Sequence, residues 1–268
     1  MLILLTNDDG IHAPGLVALE KSLRRLGEVE VVAPATEQSG VGHSITFRTP
    51  LLYKQVLIDD ENHWGWAVEG TPADCVKIGV TNVCERKPDL VVSGINGGLN
   101  AGINILYSGT VAAAIEASFY QIDSFAVSLE FQEKKMPYDQ AAEIAASVIE
   151  KVLNRKKESG NPSSGLYNLN IPTKAIDGKR SLQESLQESL RIVSMDPNPY
   201  WVSFEKRTSP SGKPYFWLVA RPRAYGNVEE SLCGGVMTDL QALAQGFITL
   251  TPLDYNMTKW ETLKAFDF

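Results

Sequence analysis

Leu2 to Thr6 is an unbroken apolar run that ends abruptly at Asn7-Asp8-Asp9-Gly10, and no other feature of the chain restricts its fold as strongly. A short run without polar alternation is the pattern of a strand covered on both faces, as in the middle of a parallel sheet. After Pro14, the residues Leu16, Leu19, Leu23 and Leu26 recur at helical spacing, Gly27 supplies a stop, and Val29 to Ala33 reads as a second strand. That order opens a doubly wound α/β fold with a mostly parallel sheet, in which ligands sit beyond the carboxyl ends of the strands. Asp8 and Asp9 fall at such an end.

Leu90 to Val92 repeats the pattern, with Ser93 to Gly102 reading as a glycine-rich loop and Val111 to Ala117 as the start of a helix. Phe125 to Ser128 reads as another buried strand, Tyr138 to Leu153 as a helix, and Leu166 to Ile171 as the last core strand. Ser181 to Leu190 repeats Ser-Leu-Gln-Glu, with Leu182, Leu186 and Leu190 on one helical face, and reads as a local insertion. Two aromatic-rich segments, 200 to 207 and 214 to 220, flank a Pro/Gly turn and read as a β-hairpin. Such a hairpin is marginal alone in water, so it packs either on its own domain or on another subunit. The expected organisation is one domain over 1–268. Its core spans about 1–175 and 235–255, an insertion with the projecting hairpin about 176–234, and a tail 256–268.

Charge narrows the partners. Lys and Arg number 25 against 32 Asp and Glu, a net charge of −7, which is the wrong sign for gripping nucleic acid through its phosphates. A small phosphate ester is still within reach if a bound cation and backbone amides supply local positive potential. The three cysteines, Cys75, Cys84 and Cys233, have no CxxC spacing, so they read as buried thiols in a reducing compartment. The opening apolar run is too short for a signal-peptide core or a membrane span, so the cytoplasm is the expected location.

Two adjacent carboxylates at a buried strand tip raise each other's pKa, and desolvation adds to the cost unless a cation neutralises them. Asp8 and Asp9 offer oxygen alone, which suits a hard ion such as Mg²⁺ or Mn²⁺. Ser39 follows the second strand and Asn96 follows the Leu90 to Val92 strand, so each brings a neutral oxygen to the same edge. The competing assignments are a helix cap for either aspartate and ordinary turn positions for Ser39 and Asn96. Tyr107-Ser108-Gly109-Thr110 leads a clean helical run, where backbone N–H groups and the two hydroxyls can donate to an anion; either hydroxyl can equally be an N-cap. Neither a Walker A sequence nor a dinucleotide fingerprint is present.

Leu-Leu-Thr-Asn-Asp-Asp-Gly-Ile-His-Ala-Pro-Gly at 4–15, Gln-Ser-Gly at 38–40 and Gly-Thr-Pro-Ala-Asp-Cys at 70–75 resemble the SurE family. So do Val-Ser-Gly-Ile-Asn-Gly-Gly-Leu-Asn at 92–100, Tyr-Ser-Gly-Thr-Val-Ala-Ala-Ala at 107–114 and Ile-Thr-Leu-Thr-Pro-Leu at 248–253. The resemblance implies a Rossmann-like fold and 5′-nucleotidase activity on nucleoside monophosphates, with room for broader phosphatase or exopolyphosphatase activity. It places metal ligands on Asp8, Asp9, Ser39 and Asn96, phosphate contacts on Asn100, Ser108, Gly109 and Thr110, and an arm for a homodimer or homotetramer on the aromatic hairpin. Asn104, the 181–190 repeat and the stretch 221–237 depart from the family pattern, and Asp239 is a candidate for an outer role at the site. Two rival functions share these residues: a sensor that binds a nucleotide without turnover, and an Asp-Asp metal site that transfers from a sugar nucleotide.

Overall fold

The computed structural model describes residues 1–59, 63–133, 136–160, 163–176, 186, 188–198, 202–220 and 235–265. Strand β1 (Leu2–Thr6) lies between two parallel partners, β2 (Glu28–Pro34) and β5 (Leu90–Gly97), with Leu5 opposite both Val31 and Val92. Around it a nine-stranded sheet runs β3-β4-β2-β1-β5-β6-β7-β11-β8, where β3 is Tyr53–Leu57, β4 Trp64–Val68, β6 Asp123–Leu129, β7 Leu166–Ile171, β8 Leu190–Ile192 and β11 Ile248–Leu253. The strands from β4 to β7 in that order are parallel, while β3 and β11 pair antiparallel with β4 and β7. This is the α/β architecture that the apolar runs imply.

Every residue of β1 is buried because helices cover both faces. Ile3 and Leu5 pack with Leu16, Leu19 and Leu23 of α1 (Pro14–Leu23) and with Ala145 and Ile149 of α4 (Tyr138–Ser159). Leu4 points to the other side, against Val76 of α2 (Pro72–Ile78) and Ala113 and Ala117 of α3 (Gly109–Phe119). Each fully buried leucine of α1 contributes about 1.5–3 kcal/mol relative to exposure. Pro14 opens α1 at a position where a missing N–H costs no helical bond. Thr71 and Asp74 form a reciprocal capping box on α2, and the Asp74 carboxylate also accepts the N–H of Thr46.

Chain order makes the crevice. From β1 the chain moves outward to β2, on to the edge strand β3 and back to β4, then crosses to β5 on the opposite side of β1. The strand order therefore reverses at β1 and β5, and the gap beyond their carboxyl ends is the position where open α/β sheets bind ligands.

Several expectations change. The glycine-rich segment is not a loop from Ser93: β5 continues to Gly97 with an irregularity between Ser93 and Asn96. Gly94 is there for space, since a Cβ on it would stand 2.4 Å from the Val127 carbonyl oxygen. β7 is not the last core strand, because β11 and β8 extend the sheet beyond it. β8 falls within the span read as an insertion yet joins the central sheet, and Leu186 is buried while Leu190 begins that strand; 181–185 and 187 lie outside the described residues. The tail carries a short helix, α6 (Trp260–Ala265), after α5 (Asp239–Ala244) and β11. The hairpin forms as read, from β9 (Val202–Thr208) and β10 (Pro214–Ala220), as a separate two-stranded sheet. Cys75 is buried as expected, Cys84 is only partly so, and Cys233 lies outside the described residues.

Candidate active site

The turn after β1 is built by its own side chains. Asn7 donates through Nδ2 to the Gly10 carbonyl at 2.8 Å and accepts the Gly10 N–H at 3.2 Å, and Gly10 has φ +99°, a conformation glycine adopts without a Cβ penalty. This closed turn sends the two carboxylates to different neighbours, Asp8 toward the start of α3 and Asp9 toward the end of β5.

Asp8 is nearly fully buried, at 4% exposure. Its Oδ1 accepts the Thr110 hydroxyl at 2.6 Å and its Oδ2 accepts the Thr110 N–H at 3.1 Å, so the N-terminus of α3 holds the carboxylate. Burial nevertheless pushes the Asp8 carboxyl above its ordinary value, and the two Thr110 bonds only partly offset it. Gly109 permits the approach, since a Cβ there would stand 2.9 Å from the Asp8 Cβ.

Asp9 accepts the Gly97 N–H through Oδ2 at 3.3 Å. Burial, and then the negative charge of Asp8, push its carboxyl up to about 6. Ser39 reaches the same edge because the Gln38 N–H donates to the Asp8 carbonyl at 2.7 Å. Its hydroxyl donates to Glu37 Oε1 at 2.6 Å, and Glu37 adds a further negative field at both aspartates. Asn96, at the end of β5, spends its Nδ2 on the Gly98 carbonyl at 2.7 Å, which leaves Oδ1 as the atom that can accept or coordinate.

The donor set suits a hard divalent cation. Two adjacent carboxylates, both pushed toward protonation by burial, are the electrostatic setting that a cation relieves. Among the described residues, no three His, Cys, Asp or Glu side chains gather around one point. The remaining coordination would therefore come from the neutral oxygens of Ser39 and Asn96 and from water, as suits Mg²⁺ or Mn²⁺ rather than zinc.

The residues expected to meet phosphate divide. Ser108 is the N-cap of α3, its Oγ accepting the Val111 N–H at 3.2 Å, so the capping assignment holds while the hydroxyl proton is left to donate elsewhere. Gly109 opens the helix, where a backbone N–H has no intrahelical acceptor. Thr110 differs from expectation: it is fully buried and both of its donors are spent on Asp8, so here it positions a carboxylate and offers nothing to an anion. Asn100 is pinned from the β6 and β7 side. Its carbonyl accepts Nδ2 of Asn168 at 2.7 Å and of Asn170 at 2.8 Å, its N–H donates to Asn170 Oδ1, and its Nδ2 donates to Ser128.

Asp239 does not line the site. Its buried carboxylate accepts the N–H of Gly102, Asp196 and Leu240, which anchors the 3₁₀ turn Gly102–Tyr107 that delivers Ser108. His43 is committed to Glu116 at 2.9 Å and stacked on Phe119. Sequence reasoning missed Glu37, Asn168, Asn170 and Ser128. A buried asparagine two positions from another on one strand face was the available signal, because unpaired amides are costly in a core.

Comparison with known proteins agrees with this architecture. The family described as survival protein SurE matches residues 3–191. A protein of Rhodopirellula baltica named 5′-nucleotidase SurE is 50% identical over 264 residues, covering 98% of this chain and 96% of its own. One of the same name from Caldanaerobacter subterraneus is 40% identical over 269 residues, covering 98% and 94%. The crystal structure of the SurE protein from Aquifex aeolicus superposes with a TM-score of 0.78 at 35% identity, over 99% of this chain and 98% of that one.

Proposed function

The chain belongs to the SurE family, and on that premise we propose that it hydrolyses nucleoside 5′-monophosphates to nucleoside and inorganic phosphate, using Mg²⁺ or Mn²⁺ held by Asp8, Asp9, Ser39 and Asn96. The observation that carries this reading is the pair of adjacent carboxylates at the strand-order reversal, Asp8 buried and Asp9 half-buried, both raised above their ordinary values, with the start of α3 immediately beside them. When bound, the ion would polarise a phosphoryl oxygen and offset the negative charge of the ester.

The chain's own residues supply the rest. The Ser108 hydroxyl, the Gly109 N–H and the second Nδ2 proton of Asn100 bind the phosphoryl oxygens, aided by the α3 dipole. Thr110 fixes Asp8 in one orientation, and Asp9 orients the attacking water. The water oxygen bonds to phosphorus, the ester P–O bond breaks, and the proton passes to the departing nucleoside oxygen.

Release of inorganic phosphate from a panel of nucleoside monophosphates tests the proposal. Turnover supports it; tight binding without phosphate release would make the protein a sensor, and transfer from a sugar nucleotide would make it a transferase. Phosphate release from other monoesters or from polyphosphate would widen the substrate class.

We also propose a homodimer or homotetramer. Phe204, Phe216 and Leu218 are each about 60% exposed on a hairpin that stands apart from the main sheet, where Phe204 pairs with Leu218 across the strands. A contiguous apolar face on a projecting element marks an association surface, and twofold assemblies are the commonest result. Light scattering at micromolar concentration should give a multiple of the 29.4 kDa chain mass; a monomer would overturn the assignment. No described helix is long and apolar enough to cross a membrane. A cytoplasmic location, with neither a nucleic-acid polymer nor a membrane as partner, completes the reading.

A further inference from the structure

Tyr138, the first residue of α4, comes from an element that none of the motifs includes, yet its ring ends at the site. Two glycines make its slot. A Cβ on Gly15 would stand 2.9 Å from Tyr138 Cε1, and a Cβ on Gly97 would stand 2.9 Å from the Tyr138 hydroxyl oxygen. The phenol oxygen therefore lies against the residue whose N–H is donated to Asp9.

The side chain is half-buried, and among the described residues none accepts its hydroxyl proton. Burial, and then the charge of Asp9, hold the phenol above its ordinary value, so it is a donor at neutral pH. A tyrosine hydroxyl in such a place usually finds a partner, and where two polar groups lie beyond direct reach a water bridges them at little cost.

We propose that Tyr138 is a positioning residue for Asp9: its hydroxyl and the Asp9 carboxylate share a bridging water across Gly97, which fixes the carboxylate for the cation and for the attacking water. The inference rests on the role given to Asp9 above and extends it to a residue on another helix.

Tyr138→Phe separates the hydroxyl from the ring, since the ring still fills the slot between the glycines. Mn²⁺ binding measured by calorimetry without nucleotide should weaken about fivefold to tenfold, the worth of one ordinary hydrogen bond, since the contact with Asp9 runs through water. kcat/KM for a nucleoside monophosphate should fall at least as far, while Tm stays within about 2 °C of the wild type. A purely packing role predicts the reverse, with both binding and kcat/KM within about twofold of wild type, and that result would overturn the inference. Asp9→Asn is measured alongside. If it binds Mn²⁺ like the wild type, the metal-site reading fails and the inference with it. If Asp9→Asn loses binding while Tyr138→Phe does not, only the role of Tyr138 falls.

Discussion

Chelation with EDTA is expected to abolish phosphate release from a nucleoside monophosphate, and added Mg²⁺ or Mn²⁺ to restore it. Without a cation, Asp8 and Asp9 face each other's charge and that of Glu37 in a desolvated crevice. Substrate would add further negative charge there, with only Ser108, Gly109 and Asn100 to meet it. Proton and metal must compete for the same oxygens, because a carboxylate ligand binds deprotonated. Asp9 in the metal-free protein titrates at about 6, above the ordinary carboxylate range. Its ionised form is therefore disfavoured by folding, a cost fully present above about pH 6 and lost as the pH falls from there to the unfolded value. Adding Mn²⁺ should consequently raise Tm more at pH 8, where the pair is charged and no proton must leave, than at pH 5, where Asp9 carries one. Undiminished turnover after exhaustive chelation, or a Tm gain larger at pH 5, would sink the metal assignment.

Asp8→Asn should remove most turnover while leaving the fold intact. The amide can still accept the Thr110 N–H through its oxygen, and the Thr110 hydroxyl can rotate to accept from the new NH₂, so both contacts survive in altered form. Removing a buried, destabilised charge also spares the fold the cost that raises the Asp8 carboxyl. What is lost is the anionic ligand. Even the outer partners of metal ligands are worth about 10- to 100-fold in affinity or activity, so replacing a ligand itself should cost more than about a hundredfold in kcat/KM. Thr110→Val, which removes an outer partner, belongs in the lower range, and its defect should show as weakened metal binding. Turnover near wild type for Asp8→Asn, measured with Tm on the same sample, would refute the assignment.

Much of this arrangement is written locally. β1 is readable because Leu-Ile-Leu-Leu leaves no polar face, β2 because Gly27 separates the helical leucines from the apolar Val31 to Ala33, and Asn-Asp-Asp-Gly can only be a turn. β3 and β4 are not readable in that way. Tyr53–Leu57 is an edge strand with four of five residues exposed, so it carries no buried pattern, and Trp64–Val68 is short. The glycines after Val92 look like loop signals because sequence reports flexibility, whereas Gly94 serves a close strand-to-strand contact that exists only once β6 is in place. Asp8, Asp9, Ser39 and Asn96 could be named from their places at strand ends. The use of the Thr110 hydroxyl could not, since its target depends on how near α3 comes to β1, and that distance is set by Gly109 and the alanines behind it.

The middle position of β1 has a consequence for the order in which the molecule comes into being. Its flanking strand β5 lies far along the chain: the Leu2 N–H is received by Asp89, 87 positions later. At a synthesis rate of about 5–20 residues per second, β1 waits roughly 4 to 17 seconds on the ribosome before that neighbour exists. During that interval β2 can cover only one edge, and an apolar strand meant to be sandwiched is left open to other chains. Non-local pairing of this kind is slow, and unpaired apolar strands favour aggregation. The candidate ligands Asp8 and Asp9 are thus made well before the neighbour that completes their crevice, and any fragment ending before residue 90 exposes the strand that a nascent chain most needs to have shielded.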